Sequence, residues 1–166
     1  YSAPINLKAH GHRSLIQQIL DRIKLLVAKF IMPFADIEDL LVMYKYFADH
    51  ELMCSHCGAK RMQPHFMEHI IVLRELLGFP FVVTSGYRCP DHPIEAPKES
   101  PGAHTTGMAI DIQVYGNNAH RLLDAALRAG FSGIGISQKG DHSTRFIHLD
   151  KIGNSEDRPR PTVWSY

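Results

Sequence analysis

The run His104-Thr105-Thr106-Gly107-Met108-Ala109-Ile110-Asp111 constrains the fold more than any other stretch of this chain. It sets a histidine and an aspartate seven residues apart, with the aspartate inside the apolar stretch 108–114, which reads as a β-strand. Alternation places Ala109, Asp111 and Gln113 on one face and Ile110 and Ile112 on the other. A carboxylate rising from a mostly apolar strand needs a partner, because an unpaired buried charge is costly. A divalent metal is one such partner. The turn-forming segment before the strand can bring His104 back toward Asp111, so that one short segment supplies two ligands.

A third ligand lies downstream. Phe146-Ile147-His148-Leu149-Asp150 is another short strand pattern, with Phe146, His148 and Asp150 on one face. Two imidazole nitrogens and one carboxylate oxygen form a Zn²⁺ site with a fourth position open, the layout of a catalytic site and not of a structural one. The expected fold is α+β: a small antiparallel sheet carrying the zinc site, flanked by helices, with an N-terminal helical extension. Helices are expected over 14–32 (capped by Ser14, ended by Pro33), over 36–48, over 64–77 (ended by Gly78), and from a cap at Asn117 or Asn118 to Gly130. Further strands are expected over 79–84 and 131–136, the latter pairing with the strand of His148 as a hairpin. The Pro-rich stretch 89–103 reads as a loop forming a wall or lid of the cleft.

Four separated motifs carry a family resemblance: Thr84-Ser85-Gly86-Tyr87-Arg88-Cys89-Pro90, His104-Thr-Thr-Gly107-Met-Ala109-Ile-Asp111, Gly133-Ile-Gly135-Ile, and Phe146-Ile-His148-Leu-Asp150. In this order they resemble the M15 zinc peptidases, which include D-alanyl-D-alanine carboxypeptidases and phage or bacterial peptidoglycan endopeptidases. The match is to the branch with His-x-Asp at the second histidine. The resemblance spans residues 43–152. It implies Zn²⁺ held by His104, Asp111 and His148, and a zinc metallopeptidase acting on peptidoglycan stem peptides as carboxypeptidase or endopeptidase. It also implies a role for Arg88 beside the metal, holding the substrate or its developing charge. A guanidinium suits that task because it stays charged and grips a carboxylate at two points. Many M15 members carry an acidic residue three positions before the last histidine as general base. Here that position is Arg145. Asp150, on the same strand face as His148, is the first candidate for the base, with an orienting role for a ligand histidine as its competitor. His142 and Asp141 in the preceding turn follow. The family's usual serine before the first histidine is also displaced: Gly102 and Pro101 occupy its positions, with Ser100 one step back.

Two other clusters compete for metal. His65-Phe66-Met67-Glu68-His69 matches the His-x-x-Glu-His pattern of inverted zinc peptidases, and its histidines share a helix face. No third ligand follows in a recognisable context, and the reading favoured here is a partly exposed helix face. Cys54-Ser55-His56-Cys57 is a lone Cys-x-x-Cys. A structural zinc needs four ligands, and Cys89 with His56 or His92 completes a set only if the fold brings them together. Otherwise the pair is a turn with reduced thiols, or a Cys pair in contact with Cys89.

Of 166 residues, 45% are hydrophobic, enough for a core, and 18 Lys and Arg stand against 17 Asp and Glu. That balance argues for neither nucleic acid nor an anionic membrane as partner. No apolar run is long enough to span a membrane, and no secretory signal is visible. The expected organisation is an N-terminal arm and helical extension over 1–42, a peptidase domain over 43–152 and an extended tail over 153–166, with Trp164 pinning the tail to the surface. The partners are a peptidoglycan peptide and, through the N-terminal helix, other virion or tail proteins. The expected location is a phage virion or the host cytoplasm before release, or else the bacterial cell envelope. The competing class is a catalytically silent M15-like zinc module that binds or builds within a larger assembly, as Hedgehog-type signalling domains use a related metal site. Arg145 in place of the acid is the feature that keeps it in play.

Overall fold

The computed structural model describes residues 46–166. The helices expected over 14–32 and over most of 36–48 lie outside the described residues. Residues 46–48 form a turn and not the end of a helix. A one-turn helix α1 (Asp49–Leu52) follows, with the Ala48 amide donating to Glu51 Oε2 at 2.7 Å.

Helix α2 (Pro64–Leu77) begins where Pro64 supplies a preset φ and no surplus N–H, and closes at Gly78 in the left-handed region. It buries Phe66, Met67, Ile70, Ile71, Leu73 and Leu77. Strand β1 (Val82–Ser85) starts later than expected because Pro80 cannot donate to the ladder. Then come β2 (Ala109–Gln113), α3 (Gly116–Arg128), β3 (Gly133–Ser137), β4 (Phe146–Asp150) and β5 (Thr162–Ser165). Helix α3 begins ahead of Asn117 and Asn118, so both lie in its first turn and neither caps it. Its apolar stripe is Ala119, Leu122, Ala125 and Ala126, while Leu127 is exposed.

The fold is α+β. The five strands form one sheet in the order β1-β2-β4-β3-β5, antiparallel except for the parallel β3–β5 pair. Residues 162–165, read from the sequence as part of an extended tail, are therefore an integral edge strand.

The sheet has two unlike faces. Ile110 and Ile112 of β2, Ile134 of β3, and Ile147 and Leu149 of β4 point to one side and pack with α2 and α3 in the hydrophobic core. The opposite face carries Ala109, Asp111 and Gln113 of β2, then Phe146, His148 and Asp150 of β4. Across the β3–β4 ladder, Gly133 pairs with Asp150 and Gly135 with His148. A Cβ on Gly133 would lie 2.1 Å from Asp150 Oδ2. The absence of a side chain there makes room for the carboxylate.

Candidate metal centre

His104 lies on a short 3₁₀ turn (Ala103–Thr106) immediately before β2. Its hydroxyl residues build the turn: Thr105 Oγ1 donates to Gly102 O at 2.8 Å and Thr106 Oγ1 to Ala103 O at 2.7 Å. Gly107 then reverses the chain at φ +72° and is pressed against the backbone, where a Cβ would stand 2.0 Å from Arg61 O. Only glycine meets both demands. The chain enters β2 from this turn with His104 folded back over the sheet.

In the β2–β4 register Asp111 stands directly opposite His148. The three side chains converge. His148 Nδ1 lies 2.8 Å from Asp111 Oδ1 and 3.2 Å from His104 Nε2, and His104 Nε2 lies 3.3 Å from Asp111 Oδ1. All three residues are buried.

Each imidazole is oriented from outside this triangle. His104 Nδ1 faces Gly86 O at 2.7 Å and can only donate to it, so a neutral ring turns its Nε2 lone pair inward. His148 Nε2 faces Asp150 Oδ2 at 3.2 Å, which likewise leaves Nδ1 as the inward atom. Asp150 is wholly buried, and Arg160 holds it through Nε to Oδ1 at 3.0 Å and Nη2 to Oδ2 at 2.6 Å. Three lone-pair atoms thus face one another with no proton assigned between them. That arrangement repels itself unless a proton or a metal cation stands between the atoms. Tetrahedral ligands at ~2.05 Å from zinc are separated by about 3.3 Å, which the two sides to His104 match, the His148–Asp111 side being shorter at 2.8 Å. The donor set therefore fits Zn²⁺.

The carboxylates dominate the electrostatics of the cluster. Burial opposes ionisation of Asp111, but the adjoining His104 and His148 rings prevail and hold the carboxyl well below its ordinary range. Burial likewise opposes charge on Asp150, and His148 and Arg160 prevail, bringing it down to about 2. For His148, burial disfavours the cation, yet Asp111 and Asp150 raise its pKa above the ordinary value.

Arg88 reaches the same cluster from the loop after β1. Its Nη2 lies 3.4 Å from Asp111 Oδ2 and its Nη1 3.2 Å from Oε1 of the buried Glu95. Glu95 also accepts from the Gly102 amide at 2.9 Å and from Lys98 Nζ at 2.8 Å. The loop 89–103 is thereby tied to the site by a buried carboxylate. On the β5 side, the Trp164 ring packs 5.2 Å from the His148 ring, and Tyr166 packs 5.1 Å from Phe146.

The match to the family described as Peptidase M15 runs over residues 45–150. The chain belongs to the peptidase M15 family. It is thus a member of a metallopeptidase family, and the family segment contains Arg88, His104, Asp111, His148 and Asp150. Arg160 and Trp164 of this M15 chain lie beyond the matched segment. No curated protein matches the chain.

The remaining candidates of the sequence stand outside the triangle. Asp150, the first choice for the general base, sits beyond His148 from the inward-facing triangle, with both oxygens engaged by Arg160. Its Oδ2 also faces His148 Nε2 at 3.2 Å, the kind of contact by which a carboxylate orients a ligand histidine. His142 stacks on Tyr115 at 4.4 Å, past the Gln113–Phe146 end of the β2–β4 ladder. Asp141 accepts from the amide and hydroxyl of Ser143 at 2.8 and 2.7 Å. Arg145 turns away and donates to Gly140 O from Nε and Nη2. On α2, His65 is exposed and His69 packs edge-on to Phe131. Among the described residues, the two groups of three or more potential ligands are His104-Asp111-His148 and Cys54-Cys57-Cys89, and the α2 pair belongs to neither.

Sequence reasoning did not find Arg160, Glu95 or the Gly86 carbonyl. Glu95 lies in a proline-punctuated loop and Arg160 in the stretch Arg158-Pro159-Arg160-Pro161, where no periodicity assigns a face. A backbone carbonyl has no sequence signature.

Proposed function

We propose that this chain is a zinc-dependent peptidase that hydrolyses peptide bonds of bacterial peptidoglycan stem peptides, in a phage-borne or cell-envelope setting. The observation that carries the reading is the inward triangle of His104 Nε2, His148 Nδ1 and Asp111 Oδ1, with the outer partner of each imidazole already in place. The family's known enzymes support the substrate class. Zn²⁺ held by these three atoms would supply Lewis acidity, polarising a carbonyl and acidifying water.

The chain's own residues do the rest. Gly86 O and Asp150 hold the outer protons of His104 and His148 and so keep both rings in the ligating tautomer. Arg160 keeps Asp150 ionised and fixed. Arg88 is anchored by Glu95 and Asp111, and its remaining N–H donors suit a substrate carboxylate or the negative charge that develops on a carbonyl oxygen. Trp164, with Phe146 and Tyr166, makes an aromatic wall on the β5 side of the ligands.

A second reading is a zinc module without turnover. It is favoured by Arg145, which stands in the family's usual acid position and bonds Gly140 O, and by the engagement of Asp150 with Arg160. Zinc content and hydrolysis of defined wall peptides, measured side by side on the wild type and a His104→Ala/His148→Ala variant, separate the readings. Zinc with hydrolysis, both lost in the variant, supports the peptidase. Zinc without hydrolysis of any wall peptide or intact sacculus leaves the module.

A further inference from the structure

A second cluster lies where two segments meet, and the peptidase chemistry does not use it. Cys54 and Cys57 belong to the turn after α1, and Cys89 directly follows Arg88. Their sulfur atoms all lie within 4.8 Å of one another. His56, in the same turn, places Nδ1 3.3 Å from Cys89 Sγ. We propose that Cys54, Cys57, Cys89 and His56 bind a second, structural zinc ion.

The local backbone has the form of a zinc knuckle. The Gly58 amide donates to Cys54 O at 2.8 Å and the Cys54 amide to Ala59 O at 2.9 Å, while Gly58 at φ +71° lets the turn close. The Cys89 amide donates to the Cys54 sulfur at 3.3 Å, and the nearby amides of Cys57 and His56 also favour its thiolate. Convergent N–H donors of this kind stabilise a thiolate, which is the form that binds metal. The composition is Cys₃His, a recurrent structural zinc set. Around zinc, with Zn–S ~2.3 Å and Zn–N ~2.05 Å, neighbouring sulfurs stand about 3.8 Å apart and a nitrogen stands about 3.6 Å from a sulfur. The three sulfurs already lie within 4.8 Å of one another, and His56 Nδ1, 3.3 Å from Cys89 Sγ, adjoins them on the Cys89 side. A disulfide would use two of the three sulfurs and leave the third stranded beside it.

The position gives such an ion a purpose. The turn 54–58 meets the segment 86–89, and Tyr87 N donates to Leu52 O at 3.0 Å alongside. Gly86 O holds His104 and Arg88 holds Asp111. A zinc bridging Cys54 and Cys57 to Cys89 would fix the backbone that presents both partners, and would do so whether or not the chain turns over peptides.

The test is elemental analysis of the full chain and of two double variants, with thiol titration of the denatured, chelated wild type under non-reducing conditions. Two zinc ions are expected in the wild type and one in each of His104→Ala/His148→Ala and Cys57→Ser/Cys89→Ser. Three reactive thiols per chain are expected. Should the cysteine variant fail to fold, cobalt replaces zinc in the His104→Ala/His148→Ala protein. A thiolate-to-cobalt charge-transfer absorption then supports the site, and its absence overturns it. A single reactive thiol, which signals a disulfide, also overturns it, as does a cysteine variant with the wild-type metal content. Loss of metal or activity confined to the histidine variant bears on the peptidase reading alone.

Discussion

Arg160 grips Asp150 with two nitrogens, Nε 3.0 Å from Oδ1 and Nη2 2.6 Å from Oδ2, and both side chains are screened from water. The carboxylate between them and His148 is the innermost charge of the β4 strand. Removing one member of such a buried pair leaves the other uncompensated, at a cost of about 3–5 kcal/mol. Arg160→Ala should therefore lower stability by that order in chemical denaturation. It should also weaken zinc binding by ~10–100-fold in chelator competition, because His148 loses the fixed partner that orients it. Unchanged zinc affinity in a folded Arg160→Ala protein would remove Arg160 from the site.

The same pair sets the response of chelated protein to acid. Asp150 titrates at about 2 in the fold, against an ordinary 3.8. Its pKa is depressed, so its contribution, on the order of 2 kcal/mol, is present above the ordinary value and lost as pH falls through the folded one. His148 acts with the opposite sign: its pKa is raised above 6.5, so its contribution is full below that value and fades at higher pH. The chelated protein should thus be most stable between about pH 4 and 6.5. Urea midpoints across pH check this, and in Arg160→Gln the acid limb should move to higher pH.

Gly107 provides a purely steric prediction. Its φ of +72° disfavours any side chain, and the nearest atom to an added Cβ is a backbone oxygen, 2.0 Å away, which no rotamer change can move. Gly107→Ala should cost ~2 kcal/mol or more and displace His104. A melting temperature within a degree or two of wild type would show that the 61–63 backbone yields freely.

These cases also show which parts of the site could be read from the chain alone. The strand faces were legible, because alternation in 108–114 and 146–150 separates Ile110, Ile112, Ile147 and Leu149 from Asp111, His148 and Asp150, and the fold keeps that separation. The convergence of His104 on Asp111 followed from the turn between them. The surroundings of Asp150 were not legible. Alternation places it on the ligand face but cannot reveal that Gly133 opens a space behind His148, or that Arg160 fills the far side. The first is a cross-strand detail of the β3–β4 ladder, and the second depends on the segment leading into β5, whose pairing with β3 is written in no local pattern. The three cysteines were ambiguous for the same reason, since only the fold brings 54–57 to 89.

The α2 histidines offer a clean control. His65 is exposed, and His69 is packed against Phe131, with its pKa lowered first by burial and then by Lys151. His65→Ala should leave zinc content unchanged, whereas His104→Ala should reduce it by one ion per chain. The reverse outcome would move the metal to α2.

Asp150→Asn separates orientation from proton transfer. Asparagine keeps the shape of the side chain but loses the charge, so His148 Nε2 is held less strongly and Arg160 loses its counter-ion. If Asp150 orients, as its place beyond His148 and its clasp by Arg160 indicate, zinc affinity should fall by ~10–100-fold. Hydrolysis should then return to within about tenfold of wild type once zinc is saturating, with little change in KM. If Asp150 is instead the base, zinc content should hold while kcat falls by ~10²–10⁴-fold at every zinc concentration, and the acid limb of the pH–rate profile should be lost. The measurement is kcat and KM against free zinc for both proteins. Full zinc occupancy combined with a large, zinc-independent loss of kcat would return the general base to Asp150.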